Sequence, residues 1–208
     1  MNNKTIRLVT SSILIALASV LSFIVVFKLP YGGSITLLSM LPIMALGYMY
    51  GAKWGMLCGI VYGVVQALLG AATSSAFAGL TGVSVLFMII LDYIIAFAVL
   101  RLAGVLKNKI KNPVVSISLG CVFAGLLRFS THFLSGFILW GSYAQYYFGA
   151  ENMNNSFGYA VLENFNGTAL AALYSLIYNA SYMLPEIIIT VIGFILISKI
   201  KPIKEQLY

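Results

Sequence analysis

Long apolar runs separated by brief polar breaks organise this chain of 208 residues. Six runs reach or approach the roughly 20 residues that carry a helix across a bilayer: residues 6–27, 36–50, 54–69, 83–105, 114–140 and about 170–200. The second and third are short. The last is long and contains Pro185, which removes a helix hydrogen bond and permits a kink. The expected fold is an all-α membrane protein, a compact bundle of six transmembrane helices forming one domain over residues 1–208. Lys4 and Arg7 ahead of the first run resemble the start of a signal sequence. The run is long, however, and no small-residue cleavage site follows, so a retained first helix is expected.

Composition narrows the class further. Hydrophobic residues make up 61% and charged residues 8% of the chain, against about 25% charged in soluble domains. No sizeable water-soluble domain is left over. With six spans both termini share one side. Lys4, Arg7, Lys53, Arg101, Lys107, Lys109, Lys111, Lys199, Lys201 and Lys204 fall on that side, with Lys28 alone on the other. Positive charge collects on the cytoplasmic face, so both termini are expected in the cytoplasm. The net charge of +7 then reports topology and anionic lipid headgroups rather than nucleic-acid binding. No Gly-x-x-x-x-Gly-Lys-Ser/Thr loop occurs, which excludes ATP hydrolysis by that route and makes any active transport depend on outside energy. Cys58 and Cys121 lie in apolar runs without Cys-x-x-Cys spacing or a nearby His, the pattern of buried packing residues rather than of a metal site.

Residues 141–167 contain no Lys or Arg but carry Tyr143, Tyr146, Tyr147, Phe148, Phe157, Tyr159 and Phe165. A connector of that length with rings suited to an interface reads as a packed lid, the alternative being an interfacial anchor. Gly51, Gly55, Gly59 and Gly63 recur every fourth residue and make a side-chain-free strip for close helix packing inside the bundle. Ser12 with Ala16, and Ala18 with Ser22, form weaker small-residue pairs on the first span, usable within the domain or against a partner.

Asp92, Arg128, His132 and Glu186 fall inside expected spans. A charge there costs about 2.5–3.5 kcal/mol on insertion scales unless it is paired or faces a cavity. Arg128, His132, Gly136 and Trp140 follow at intervals of four, which keeps them on one slowly drifting helix face. From His132 to Trp140 that face climbs about 12 Å. It reads as the wall of an outward-opening pocket, with Gly136 leaving room. Asp92 either pairs structurally with Arg128 or meets a cationic or hydrogen-bond-donating ligand. Glu186, beside Pro185, pairs with freed backbone groups or with Arg128 and is left out of the expected site. Tyr62, Tyr93, Trp140 and Tyr174 offer flat faces and Asn179 an amide, although most of the 13 Tyr and 13 Phe serve packing or the interfacial belt. Tyr174 and Asn179 lie five apart, about 140° round an ideal helix, so periodicity alone does not unite them. These residues imply an outward-facing pocket for a flat, cationic solute.

The segment Arg128-Phe-Ser-Thr-His132-Phe-Leu-Ser-Gly136-Phe-Ile-Leu-Trp140-Gly141-Ser142-Tyr143-Ala144 resembles one in the thiamine-specific substrate-binding (S) components of energy-coupling-factor (ECF) transporters, the ThiT or YuaJ family. Met40-Leu41-Pro42, Asp92-Tyr93 and Tyr174-Ser-Leu-Ile-Tyr-Asn179 are also similar, and the resemblance covers nearly the whole chain. It implies that Asp92, Tyr93, His132, Trp140, Tyr174 and Asn179 surround thiamine, that Gly136 gives it room, and that Tyr62 stands where the family has a tryptophan. The family acid is Glu; Asp92 is one methylene shorter. The tryptophan of the family's first outer loop falls near Gly33, with Tyr31 close by, and no ligand residue is carried onto residues 70–82. The resemblance further implies that outer loops, the one after the first span included, close over the vitamin. Energy would come from a separate module of two ATPase subunits and a transmembrane coupling protein, docking on a small-residue pattern that appears here as Ser12-x-x-x-Ala16. No cofactor is implied, and the location implied is a bacterial plasma membrane.

Two rival classes remain at this point. An independent proton-coupled secondary carrier for a flat cationic solute or a thiamine precursor would use Asp92 or His132, although no internal repeat is evident. An intramembrane enzyme would need Ser130 or Ser135 beside His132 and an oriented third group, and the spacing supplies neither, so no enzymatic activity is expected.

Overall fold

The computed structural model describes residues 3–29, 33–73, 77, 79–149 and 156–200. Helix α1 (Asn3–Ser22) leads into an antiparallel hairpin of β1 (Val25–Lys28) and β2 (Ser34–Thr36). Helices α2 (Leu41–Tyr50), α3 (Ala52–Thr73), α4 (Gly82–Gly104), α5 (Pro113–Trp140), α6 (Ala144–Gly149), α7 (Ser156–Asn164) and α8 (Gly167–Ile197) follow. Among the described residues five helices, α1, α3, α4, α5 and α8, are long and apolar enough to cross a membrane. The expected second span is the ten-residue α2, about 15 Å of helix, half the thickness of a hydrocarbon core.

The apolar run 6–27 is not one helix. Its end, Val25–Lys28, is a strand paired with Ser34–Thr36 in the register Val25↔Thr36, Phe27↔Ile35 and Lys28↔Ser34, with an irregularity between Val25 and Phe27. Two adjacent valines and a phenylalanine favour a strand, and a run of apolar length alone does not separate that choice from helix. The hairpin returns through Leu38, whose φ of 61° is unusual for a residue with a side chain. The Leu38 side chain is seated on Gly193 of α8, so packing holds the turn.

Glycines set the helix crossings. A Cβ built on Gly55 would lie 2.6 Å from Gly47 Cα, one on Gly104 would lie 2.7 Å from Gly47 O, and one on Gly63 would lie 2.7 Å from Tyr93 O. Gly59 meets the Phe97 carbonyl and Gly120 the Ala103 carbonyl in the same way. The strip on α3 therefore packs inside the bundle, against α2 and α4. Gly51 is the exception: it precedes α3 with φ +82°, and a Cβ built on it would meet nothing within 4 Å. Around these crossings Ile43, Met44, Tyr62, Leu100, Ile117 and Phe194 are fully or almost fully buried. Cys58 and Cys121 are buried and free.

Helix α4 changes pitch along its length, α-helical at Gly82–Met88, π-helical at Ile89–Ile95, and 3₁₀ over Val99–Gly104. Asp92 and Tyr93 sit in the π segment, the kind of local widening that recurs at functional sites. Residues 141–167 fold into a 3₁₀ turn, α6 and α7, interrupted by residues outside the description. Phe148 is buried there, and Tyr147 meets Tyr174 and Tyr178 edge-on, while Tyr146 and Tyr159 remain more than half exposed. Part of the segment is packed and part is exposed.

Candidate functional site

A cavity of about 240 Å³ lies between the hairpin and helices α3, α4, α5 and α8. Tyr62, Asp92, Tyr93, His132, Gly136, Trp140, Tyr174 and Asn179 all line it. Ser12 and Ala16 do not; they lie exposed on α1, with the Ser12 hydroxyl bonded to Leu8 O at 3.0 Å. Tyr31 lies outside the described residues.

The expected alternative of an Asp92–Arg128 ion pair is corrected by the geometry. Asp92 Oδ1 lies 2.8 Å from His132 Nδ1, and Asp92 Oδ2 accepts from Ser135 Oγ at 2.5 Å. Both partners stand on α5, where a three-residue spacing puts them on one face. A carboxylate only accepts, so Nδ1 carries the proton and Nε2 of a neutral ring offers a lone pair. That Nε2 is buried and has no hydrogen-bond partner among the described residues. Ser135, set aside from the sequence as lying off the His132 ridge, is thus part of the site as a donor. Ser130 is exposed and bonds to Leu126 O.

Arg128 instead pairs with Glu186, Nη1 to Oε2 at 3.1 Å, and its guanidinium lies 4.5 Å over the Phe97 ring. Glu186, paired with Arg128 as one of the sequence alternatives had it, is only 3% exposed and lines the cavity. Tyr178 and Tyr182 line it too. A signal for all three was present: Tyr174, Tyr178, Tyr182 and Glu186 recur every fourth residue on α8, the same spacing as the ridge on α5. Tyr174 and Tyr178 stack at 5.8 Å, Tyr178 meets Tyr182 at 5.9 Å, and Tyr182 meets the His132 ring edge-on at 6.1 Å.

Asn179 is engaged with its own protein. Its Nδ2 donates to Ser175 O at 2.8 Å and lies 3.3 Å from His132 O, while its Oδ1 accepts from Tyr182 at 2.6 Å. A Cβ on Gly136 would collide with Ser175 Oγ and come within 2.9 Å of Asn179 Nδ2. Gly136 therefore makes room first for α8 to cross α5. Tyr62 is fully buried, edge-on to Phe97, with its hydroxyl donating to Ala18 O at 3.2 Å. Tyr93 stacks on Phe77 at 5.9 Å, and Trp140 meets Tyr143 at 5.6 Å.

The charged residues lining the cavity are Asp92, Glu186 and Arg128. Two carboxylates thus stand against one guanidinium, one negative charge in excess among these three groups. Aromatic faces with that excess suit a flat monocation.

A membrane-embedded bundle of apolar helices around such a polar, aromatic cavity defines a membrane protein that handles a small solute. The family described as Thiamine transporter protein (Thia_YuaJ) matches residues 8–161, and this chain belongs to that family. It is similar to the thiamine transporter ThiT of Bacillus subtilis (strain 168), 29% identical over 212 residues, covering 97% of this chain and 94% of that protein. Its fold is that of the solved structure of ThiT from Listeria monocytogenes, with a TM-score of 0.71 at 22% identity over 99% of each chain. Its relatives are transporters rather than enzymes, and the chain is a multi-pass plasma-membrane protein.

Proposed function

We propose that the chain binds thiamine in this cavity and serves as the substrate-binding S component of an ECF-type transporter. The observation that carries the reading is the Asp92 carboxylate, braced by His132 and Ser135 within aromatic walls. Thiamine joins a cationic thiazolium to a flat aminopyrimidine. The excess negative charge offsets the cation, Tyr93, Trp140 and Tyr174 give stacking faces, and the free Nε2 lone pair of His132 accepts from the exocyclic amine. Residues 1–208 act as one unit with six membrane segments, both termini cytoplasmic and the cavity opening outward. Energy comes from two ATPase subunits and a transmembrane coupling protein that meet α1 at Ser12 and Ala16, where small side chains on an exposed helix face permit close approach.

The test is titration of the detergent-purified protein with thiamine, followed by tryptophan fluorescence. Trp140 lines the cavity, whereas Trp54 donates to Ser11 Oγ at the other end of α3, under the Arg7 guanidinium. Saturable quenching that survives Trp54→Phe and vanishes in Trp140→Phe supports the reading. A protein indifferent to thiamine by fluorescence and calorimetry overturns it. The contact between Asp92 and His132 is also a feature suited to a proton-coupled carrier. Uptake by this chain alone that collapses with the proton gradient favours that second reading; uptake that requires the ATPase module excludes it.

A further inference from the structure

An amide inside an apolar helix is costly unless its polar atoms find partners. Gln66 lies one turn beyond Tyr62 on α3, and both line the cavity. Its Nε2 donates to Ser22 Oγ at 3.0 Å, and the Ser22 hydroxyl donates in turn to Ser19 O at 2.7 Å. A carbonyl only accepts, so the single Ser22 proton is spent on Ser19 and Ser22 Oγ is left to accept from Gln66. That fixes the amide, with its nitrogen toward the end of α1 and its oxygen turned away. Gln66 Oε1 has no hydrogen-bond partner among the described residues. Ser22, Tyr62 and Gln66 are the polar groups that α1 and α3 bring to the cavity. The two hydroxyls have given their protons to backbone carbonyls, Ser22 to Ser19 O and Tyr62 to Ala18 O. The strongest acceptor left on this flank is the Gln66 amide oxygen, with both lone pairs free.

Helix α4 packs against both α3 and α5 and carries Asp92 and Tyr93. Tyr93 lies along α3: a Cβ on Gly63 would lie 2.7 Å from its backbone oxygen, and one on Gly70 would collide with its hydroxyl. Gln66 falls between those two glycines. The polar groups of the wall therefore run from His132 on α5, through Asp92 on α4, to Gln66 on α3. Thiamine carries its own groups in a matching order: aminopyrimidine, thiazolium, hydroxyethyl arm. With the amine on His132 and the cation at Asp92, the alcohol is brought to α3.

We propose that Gln66 is a specificity-determining residue: its Oε1, aimed by Ser22, accepts the hydrogen bond of the alcohol on the ligand's arm, so the cavity selects thiazolium compounds that carry a hydroxyl. The proposal rests on the thiamine reading of the cavity. Ser22 acts through Gln66 and is a positioning residue.

The test is calorimetry on the detergent-purified full chain with two compounds, thiamine and the analogue whose hydroxyethyl arm is an ethyl group. The wild type is expected to prefer thiamine by about fivefold, the worth of one neutral hydrogen bond. In Gln66→Met, which keeps the length of the side chain, the preference should fall below about twofold. The ratio of two dissociation constants measured on one variant cancels any general loosening. A Gln66 that only ties α3 to α1 would weaken both compounds alike and leave the ratio unchanged. Ser22→Ala should lower the ratio, and Ser22→Thr, which keeps the hydroxyl, should hold it. A preference kept in Gln66→Met, or one abolished by Tyr93→Phe alone, would overturn the assignment. Equal binding of both compounds by the wild type would also overturn it and leave the thiamine reading standing, whereas a wild type that binds neither would sink that reading and the role of Gln66 with it.

Discussion

His132 Nδ1 and Asp92 Oδ1 lie 2.8 Å apart, bringing together the π-helical turn of α4 and the middle of α5. Ser135 closes on the other oxygen, so the carboxylate is oriented before any ligand arrives. Preorganised charge of this kind inside a protein is worth more than the same charge in solvent.

Asp92→Asn tests that charge. Removing it while keeping the shape should weaken thiamine binding by at least about 1 kcal/mol, roughly fivefold or more. Calorimetry on the folded variant gives the answer, and an unchanged Kd would assign Asp92 a structural role.

His132→Ala should abolish or strongly weaken binding, because it removes the ring that braces Asp92 and the acceptor that the cavity offers. No thiamine turnover should appear in either the wild type or the variant. Conversion of thiamine that disappears in His132→Ala would reinstate an enzyme.

The Arg128–Glu186 pair is buried, and breaking it from one side strands a charge. Arg128→Met should cost about 3–5 kcal/mol of stability, whereas the double change Arg128→Met with Glu186→Met should recover much of that loss. Thermal unfolding in detergent compares the three proteins. Equal losses in the single and double variants would mean that the pair is not coupled.

Glycine positions separate packing from mere flexibility. Gly59→Ala drives a methyl into the Phe97 carbonyl and should destabilise the fold by about 1–3 kcal/mol. Gly82→Ala, with open space around it and no unusual φ, should be neutral or slightly stabilising. A similar melting temperature for both variants would contradict the close crossing of α3 and α4.

Local pattern determined much of this protein. Apolar runs located the long helices to within a few residues because membrane spans are written in uninterrupted hydrophobicity. Four-residue spacing placed Arg128, His132, Gly136 and Trp140 on one face of α5, and all four line the cavity. The same spacing puts Tyr174, Tyr178, Tyr182 and Glu186 on one face of α8, and these four line the cavity as well. What tertiary structure decided was partnership. Asp92 and Arg128 each had two ionisable candidates at similar depth, and only the rotation of α4 and α8 about α5 sent one to His132 and the other to Glu186. The hairpin was hidden for a related reason: Val25–Lys28 is as apolar as a helix end, and the contact that ties its paired strand to α8, Thr36 with Glu186, joins residues 150 positions apart. Periodicity is a property of neighbours along one element and can carry faces and lengths. Which faces meet is set by the closest packing of whole helices, and here glycines with nothing to show but their absence of side chain decided it.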